Sequence, residues 1–357
     1  FMDLEHNLFN PTKNHNLMKL SEFQKYLTKQ NINLTFLTSP DPNITYFTQT
    51  KPSHAFLIIK PKEAEFLVTK LDAKPRIKNI ATNYFTTGWE KKLSNNKIKT
   101  IGINKELLSV HYQEKLQKIY PKAKFVDVSN QLKLLRSQKT PEETKKIAKA
   151  CKITSEAFNE LINNFKCKTE QDVAFFLEKY MKDKGCEIAF PTIAATSKNG
   201  AIPHHVTSNQ KLRKGFMVLD FGACYKNYNA DMTRMVYLGK PSKEEKEFYN
   251  LLLNSQLAAI EEIKDKQKFM HLDKTARSKL GKYNKYFVHS LGHGIGVEVH
   301  EDPKFKEHII NQNHVFTIEP GIYFKNKFGM RIEDTLVFKG KTKILTTAPK
   351  ELPLLRI

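Results

Sequence analysis

The fold of this chain is decided by one stretch, which reads Val218-Leu-Asp-Phe-Gly-Ala-Cys-Tyr-Lys-Asn-Tyr-Asn-Ala-Asp-Met-Thr-Arg234. An apolar run ends at Asp220, a second strand-like run extends from 228 to 236, and glycine, lysine and asparagine typical of a connection lie between them. A hairpin of this kind places Asp220 and Asp231 at neighbouring positions on one face. Two half-buried carboxylates repel each other and lose solvation, so this pair requires a cation or a shared proton.

Three downstream segments supply further ligands. One is rich in histidine and glycine, and reads His289-Ser-Leu-Gly-His-Gly-Ile-Gly-Val-Glu-Val-His300. In the second, an apolar strand ends at Glu319, directly before a Pro-Gly turn. In the third, Arg331 and Glu333 lie on the same face of a strand, because alternate residues point the same way. The predicted metal ligands are Asp220, Asp231, His293, Glu319 and Glu333. Four carboxylates and one imidazole without a thiolate favour hard metals such as manganese over structural zinc, and they suit two bridged ions better than one.

The order of these motifs resembles that of the pita-bread-fold metallopeptidases, the family of methionine aminopeptidase, prolidase and aminopeptidase P. The matching motifs are Asp220-x-Gly222, Asp231-x-Thr233-Arg234, His293-Gly-Ile-Gly, Glu319-Pro-Gly, Arg331-x-Glu333-Asp334 and the segment from Phe190 to His205. With the preceding helices they cover residues 134 to about 338, and the N-terminal third resembles the smaller domain of the prolidase and aminopeptidase P branch. The implied fold class is α/β (α+β): a small N-terminal α/β domain followed by a pita-bread (creatinase/aminopeptidase) catalytic domain of two α/β halves.

The resemblance also implies roles for the ligands. Asp220 would bind one ion, Asp231 and Glu333 would bridge both ions, and His293 and Glu319 would complete the second. The expected cofactor is two divalent ions, with Mn²⁺ first and Co²⁺, Zn²⁺ or Fe²⁺ as alternatives. These ions would lower the pKa of a water and polarise the scissile carbonyl, and Glu319 would pass the proton of that water to the leaving nitrogen.

Residues outside the ligand set are expected to act on the substrate. Three histidines in matching positions are each expected to donate a hydrogen bond to the carbonyl oxygen or the tetrahedral intermediate: His204, His289 and His300. His205 is excluded, because a neighbour on a strand points to the opposite face. Arg331 is expected to fix the carboxylates. Lys304 follows His300-Glu-Asp-Pro and is expected to hold a dipeptide's C-terminal carboxylate, though without the two-point grip of an arginine.

The predicted function is a dinuclear metal-dependent exopeptidase that hydrolyses Xaa-Pro bonds, either of dipeptides or of longer peptides with proline in the second position. Two alternatives stay open: a metal-free C–N hydrolase of the creatinase type, and a non-enzymatic binding protein on the same fold. Both predict loss of ligands, whereas this chain has all five. The family also implies a homodimer.

Composition limits the partners and the compartment. The formal net charge of +22 suggests a nucleic-acid ligand, but 52 of the 59 basic residues are lysines spread along the chain, and a recognition surface would be clustered and richer in arginine. The four cysteines show no Cys-x-x-Cys spacing, residues 1–6 lack a signal-peptide pattern, and no apolar run matches a membrane span. We therefore expect a cytoplasmic protein, with neither nucleic acid nor membrane as partner.

The length of 357 residues suits two domains. Alternating helices and strands, from a helix over 16–30 to a strand over 124–128, predict an α/β domain at 1–130. The catalytic domain is predicted at 131–357, after a basic link over 131–139. Capping boxes at Thr140-Pro-Glu-Glu143 and Ser242-Lys-Glu-Glu245 open two helices there. Strands are predicted at 188–206, 216–238, 285–300, 314–324 and 330–345.

Overall fold

The computed structural model describes residues 12–93, 97–306 and 308–356. Residues 1–6, in which we found no signal-peptide pattern, lie outside this description. The chain divides into two compact units between Arg136 and Ser137, and both contain strands and helices, which confirms the α/β class. No helix of the described ranges combines the length and the apolar composition that a bilayer span requires.

In the first unit, the described residues form a six-stranded sheet and five helices. Its strands are β1 (Leu34–Thr38), β2 (Ala55–Ile59), β3 (Ala64–Val68), β4 (Ala81–Tyr84), β5 (Thr100–Ile103) and β6 (Lys124–Asp127), in the order β4-β3-β2-β1-β5-β6. Its helices are α1 (Thr12–Lys29), α2 (Pro42–Thr48), α3 (Glu90–Leu93), α4 (Val110–Ile119) and α5 (Ser129–Ser137). Strands β2 and β3 form an antiparallel hairpin, and β3–β4, β1–β5 and β5–β6 are parallel.

Two of these helices correct the sequence analysis. The sequence Ser39-Pro-Asp-Pro-Asn43 predicts a turn, but α2 begins at Pro42, because Asp41 Oδ1 accepts the backbone N–H of Asn43 at 2.8 Å and a proline occupies the first turn. The predicted link over 131–139 is mostly helix α5. Its helical signal was present in the spacing of Leu132 and Leu135, which are both buried.

The part of the second unit that the structure describes contains four α-helices. They are α6 (Pro141–Asn163), α7 (Glu170–Asp183), α8 (Lys243–Glu261) and α9 (Phe269–Leu280), and 3₁₀ helices cover Ser197–Ala201 and Gly281–Tyr286. Both predicted capping boxes are confirmed at the starts of α6 and α8. At α6, Thr140 Oγ1 accepts from the backbone N–H of Glu143 at 3.3 Å, and Glu143 Oε2 accepts from that of Thr140 at 2.8 Å.

The strands of the second unit form two main sheets and two small ones. They are β7 (Glu187–Ile188), β8 (Ile193–Thr196), β9 (Gly215–Phe221), β10 (Ala223–Tyr225), β11 (Tyr228–Asn229), β12 (Met232–Leu238), β13 (His293–Gly294), β14 (Glu301–Lys304), β15 (Val315–Ile318), β16 (Gly321–Phe324), β17 (Phe328–Arg331), β18 (Asp334–Phe338), β19 (Thr342–Ile344) and β20 (Leu354–Leu355). The main sheets have the orders β20-β12-β9-β8 and β14-β13-β15-β18-β19, beside a β11-β10-β7 sheet and the β16–β17 hairpin.

The main sheets lie between two helix pairs. Alternate residues of one strand enter opposite cores: Leu219 of β9 packs with α6 and α7, and Val218 packs with α8 and α9. Val315 and Phe316 of β15 divide between the same two cores. Both faces of each main sheet are therefore covered by helices, which leaves the strand ends and the breaks between strands as places for polar side chains.

The hairpin predicted from the opening stretch is confirmed. Strand β9 pairs antiparallel with β12, and Thr233 lies opposite Asp220. The small β10–β11 hairpin turns at Lys226 and Asn227, whose φ angles of 49° and 67° are those of a tight turn. The predicted strand over 228–236 is interrupted at Asp231, so it forms β11 and β12 instead of one run.

Two other predicted strands are wrong over most of their length. The 188–206 segment contains only the end of β7, then β8 and a 3₁₀ helix, since Pro191 and Pro203 cannot donate to a ladder. The 285–300 segment is mostly irregular, with β13 as its only strand. At Gly292 the backbone passes too close to its neighbour for a side chain, because a Cβ there would lie 2.1 Å from the carbonyl oxygen of Thr317.

Candidate metal centre and active site

The five predicted ligands lie at strand ends and breaks in the second unit. Asp220 is the penultimate residue of β9, Asp231 directly precedes β12, and Glu319 directly follows β15. His293 begins the short strand β13, and Glu333 occupies the break between β17 and β18, where its backbone N–H donates to Thr233 O at 3.1 Å. At such breaks a side chain escapes the alternation between the two helix-covered faces.

The structure brings all five side chains together. The carboxylates of Asp220, Asp231 and Glu333 form one triad, and His293, Glu319 and Glu333 form another, each with its ligand atoms within 4.8 Å of one another. His293 Nε2 lies 3.2 Å from Glu319 Oε1 and 3.6 Å from Asp231 Oδ2. Glu333 belongs to both of these triads, and a third group within the same limit joins Asp231 and His293 to His300, which was predicted to act on the substrate. The places for a cation in the cluster therefore overlap.

The hydrogen bonding of these groups fits metal ions. Within the described residues, three buried carboxylate oxygens of the cluster accept no hydrogen bond: Asp220 Oδ1, Asp231 Oδ1 and Glu333 Oε1. A buried carboxylate oxygen without a donor is unfavourable unless a cation approaches it. The carbonyl of Gly294 lies 3.1 Å from His293 Nδ1 and holds a proton there, so Nε2 is the ring nitrogen that can give up its proton and turn a lone pair towards a metal ion.

Burial and mutual repulsion perturb the carboxylates in the metal-free chain. Burial, then the charges of Glu333 and Asp220, raise the pKa of Asp231 well above its ordinary value. Burial and the neighbouring carboxylates do the same to the pKa of Glu333. Burial also acts to raise the pKa of Glu319, but its hydrogen bond with His293 and that residue's charge outweigh burial and lower this pKa to about 2. The cluster thus lacks positive charge on the side of Asp231 and Glu333.

Arg331 supplies part of the missing charge. Its Nη2 contacts Asp220 Oδ2, its Nη1 donates to the Tyr323 hydroxyl at 2.7 Å, and its Nε donates to Thr233 Oγ1 at 3.0 Å. Thr233 in turn donates to Glu333 Oε2 at 2.8 Å. The guanidinium therefore fixes one carboxylate directly and a second through a hydroxyl, as sequence analysis expected for its strand face.

A cavity of about 640 Å³ opens beside the cluster. Its polar lining includes every residue predicted to act on the substrate, namely His204, His289, His300, Lys304 and Arg331. Its apolar lining comprises Phe190, Pro191, Ile193, Pro203, Val299 and Phe305. Apolar walls with a few convergent polar groups are typical of a small-ligand site.

The three substrate-side histidines differ in their surroundings. His300 packs edge-on against His293, with ring centroids 4.3 Å apart, and burial followed by the charge of His293 lowers the pKa of His300. Both ring nitrogens of His289 have protein partners: Nδ1 lies 2.8 Å from Ser290 O and Nε2 lies 2.9 Å from the Tyr323 hydroxyl. Burial lowers the pKa of His289, so the neutral ring accepts the tyrosine proton at Nε2. His204 is exposed at the cavity.

Comparison with known proteins identifies the family. The model of metallopeptidase family M24 matches residues 145–339, and that of the creatinase/prolidase N-terminal domain matches residues 19–138. The chain belongs to metallopeptidase family M24. This M24 chain is 35% identical to the Xaa-Pro dipeptidase of Pyrococcus horikoshii, over 94% of its own length and 98% of the relative.

Solved structures agree with the assignment of this M24 chain. It is similar to the X-Pro aminopeptidase from Thermotoga maritima, with a TM-score of 0.83 and 32% identity over 91% of this chain and 98% of the other. It is also similar to the prolidase from Pyrococcus horikoshii, with a TM-score of 0.86 and 32% identity over 94% and 99%. The expected branch and the pita-bread architecture are confirmed, and M24 membership makes the chain a peptidase that uses divalent metal ions.

Sequence analysis missed residues that shape this M24 site. The hydroxyl of Thr233 links Arg331 to Glu333, although the motif that contains it had been recognised without a role for it. Tyr323 joins Arg331 to His289, and no sequence signal marked it. The exclusion of His205 used a wrong reason, because that segment is a 3₁₀ helix and turns instead of a strand.

Proposed function

We propose that this M24 chain is a dinuclear exopeptidase that hydrolyses the Xaa-Pro bond of small peptides, with Mn²⁺ as its working metal. The observation that carries the proposal is the convergence of three buried, unpartnered carboxylate oxygens, within the described residues, beside a cavity lined by histidines. The substrate class comes from its relatives, which are named Xaa-Pro dipeptidase and X-Pro aminopeptidase.

In this proposal the five clustered side chains hold the ions, with Asp231 and Glu333 between them. When bound, two divalent ions lower the pKa of a water and polarise the scissile carbonyl. His204 and His300 donate hydrogen bonds to the carbonyl oxygen, where negative charge develops in the transition state. For His289 to join them, its proton must move from Nδ1 to Nε2, and Nε2 must exchange the tyrosine hydroxyl for the substrate. Glu319 carries the proton of the attacking water to the leaving nitrogen.

The cavity walls support proline as the second residue. The apolar lining, with Phe190, Pro191 and Phe305, suits a ring that has no N–H to satisfy once it is in a peptide bond. Lys304 lines the same cavity, and we assign it to the C-terminal carboxylate of an Xaa-Pro dipeptide. An exposed lysine grips a carboxylate weakly and at one point, so the preference for dipeptides is modest.

The chemistry belongs to the catalytic domain that we predict over 131–357. We also propose a cytoplasmic homodimer, with neither nucleic acid nor membrane as partner. The metal-free hydrolase and the binding protein explain the cluster less well, because neither provides a cation for the three unpartnered oxygens.

The test is hydrolysis of Ala-Pro and Ala-Pro-Ala side by side, with the protein stripped of metal and then supplied with Mn²⁺. The expected result is cleavage that depends on metal and favours Ala-Pro. Faster cleavage of the tripeptide would remove the role of Lys304 and support an aminopeptidase. If neither peptide were cut while Mn²⁺ bound, the Xaa-Pro assignment would be wrong.

A further inference from the structure

We propose that Glu170 and His205 are positioning residues that hold His204 in place at the cavity. The inference rests on the proposed function for the role of His204. His204 and His205 are consecutive, but they have different surroundings: His204 is exposed and lines the cavity, whereas His205 is mostly buried and its Nε2 lies 2.9 Å from Glu170 Oε2. Neither residue of the pair belongs to the metal cluster or to the lining of the cavity.

Glu170 collects four donors from one loop. It is the first residue of α7 and is fully buried. Its carboxylate accepts from the backbone N–H of Thr196 and from Asn199 Nδ2, both at 2.8 Å, from His205 Nε2 at 2.9 Å and from Ser208 Oγ at 3.3 Å. An ionised carboxylate only accepts hydrogen bonds, and these four donors occupy its lone-pair sites. The N-terminus of the helix favours the negative charge.

All four donors lie between 196 and 208, the segment that connects β8 to β9 and carries His204. This segment has only a short 3₁₀ helix as regular structure, so few of its own backbone bonds can fix it. The backbone N–H groups of Glu170 and Gln171 donate to Gln210 O and Ser208 O, at 3.0 and 3.1 Å, and tie its far end to α7. The start of α7 therefore acts as the attachment point for the whole segment.

His204 has an attachment on each side. Before it, the carbonyl oxygen of Pro203 accepts from Arg331 Nη1 at 3.4 Å, and the same guanidinium contacts Asp220. After it, His205 is held by Glu170. Three residues further on, Thr207 Oγ1 accepts from the backbone N–H of Ala194 and donates to Thr192 O, both at 2.8 Å. Loss of the Glu170–His205 bond therefore removes the attachment nearest to His204 on that side, and the His204 ring gains freedom to move relative to the metal cluster. A displacement of about 1 Å in a reacting group lowers a rate by up to roughly 100-fold.

The experiment compares His205→Ala, His205→Gln, His204→Ala and the His204→Ala/His205→Ala double variant on Ala-Pro with Mn²⁺. His205→Ala is expected to lower kcat roughly 10- to 100-fold with little change in KM or in bound metal. Glutamine places an N–H near the position of Nε2, so His205→Gln should recover most of the rate. In the absence of the His204 ring, His205→Ala should lower kcat no further.

The matched control is His271→Ala, since His271 also pairs with a glutamate, at 3.5 Å to Glu262, but both side chains are about half exposed. This variant should leave kcat unchanged. Glu170→Gln tests the other residue of the pair. If that variant does not fold, His205→Ala and His205→Gln still test the inference.

Two results would overturn the inference: a kcat for His205→Ala equal to that of wild type, or losses that multiply in the double variant, as a separate structural effect would produce. Failure of the proposed function is a distinct result, because the wild type would then cut no Xaa-Pro peptide. In that case the imidazole NMR signal of His204 provides the test: it should shift in His205→Ala but not in His271→Ala, and an unmoved signal would refute the positioning role.

Discussion

Glu333 and Asp334 are adjacent residues, both fully buried, yet the fold treats their carboxylates in opposite ways. Asp334 accepts from Arg234 Nη2 and from Thr346 Oγ1, both at 2.7 Å, and from Lys350 Nζ at 2.5 Å. Glu333 accepts from Thr233 Oγ1, and its Oε1 has no donor within the described residues. Burial acts to raise the pKa of Asp334, but Arg234 and Lys350 outweigh burial and lower it, whereas burial and nearby carboxylates raise the pKa of Glu333.

The difference shows how the chain separates structure from function. Around Asp334 it supplies its own cations, and the resulting network is complete without a ligand. Among the described residues, no cation pairs directly with the carboxylate of Glu333. Arg234 lies close by, but it donates to the backbone carbonyl of Glu333, at 2.6 Å. A carboxylate cluster that is short of positive charge has a free-energy reason to take up metal.

The largest expected effect is on activity at the metal side. In the proposed function Asp231 would help to hold both ions, which would supply several kcal/mol of transition-state stabilisation, so Asp231→Asn should lower kcat/KM for Ala-Pro at least about a thousandfold. Steady-state kinetics at saturating Mn²⁺ provide the measurement, with the exposed Asp265→Asn as the control. Full activity in Asp231→Asn would refute the metal mechanism.

The next largest effect is on the free energy of unfolding. Asp334→Asn leaves Arg234 and Lys350 without their carboxylate, and breaking one side of a buried ion pair costs roughly 3–5 kcal/mol. Glu333→Gln, in contrast, removes a buried charge that has no cation in the metal-free protein, so it should leave stability unchanged or raise it. Urea unfolding of both metal-free variants at pH 7 tests the contrast. Equal losses in the two would show that both carboxylates serve only the fold.

A smaller effect concerns pH. A carboxyl whose folded pKa is raised contributes stability fully below its unfolded pKa of about 4.3, and this contribution is lost as the pH rises through the folded pKa. The metal-free protein should therefore lose stability relative to Glu333→Gln as the pH rises above about 4. Mn²⁺ should abolish this loss and release protons on binding. Thermal unfolding across pH 5–8, and calorimetry in two buffers of different ionisation enthalpy, measure these effects. If the difference in stability between the metal-free protein and Glu333→Gln did not change with pH, the Glu333 carboxyl would not be the group that lacks a cation.

The smallest expected effect is on KM and concerns Lys304, which lines the cavity. Lys304 is exposed, and an exposed ion pair contributes only about 0.2–1 kcal/mol, so Lys304→Ala should raise KM for Ala-Pro only a few-fold. KM for Ala-Pro-Ala should not change, because its carboxylate lies one residue further along. Lys339→Ala is an exposed control outside the cavity lining. A parallel rise for both peptides would show that Lys304 does not recognise the C-terminus.

Much of the molecule was predictable because its signals are local. The hairpin that presents Asp220, the capping boxes at Thr140 and Ser242, and the order of the motifs depend on residues close together in sequence. The same reasoning failed for segments shaped by distant contacts. The 285–300 segment was expected to be a strand, but it is mostly irregular, and at Gly292 the backbone lies too close to Thr317 for any side chain.

The sequence by itself predicted the set of candidate metal ligands, since four carboxylates and one histidine in this order have few other uses. Only the tertiary structure decided which of them lack a partner. Glu333 and Asp334 are chemically alike and adjacent, so nothing local distinguishes them. The pKa values of their carboxyls shift in opposite directions because folding brings Arg234 and Lys350 to the carboxylate of Asp334 and not to that of Glu333. The field at a buried charge depends on distances in space, which sequence separation does not give.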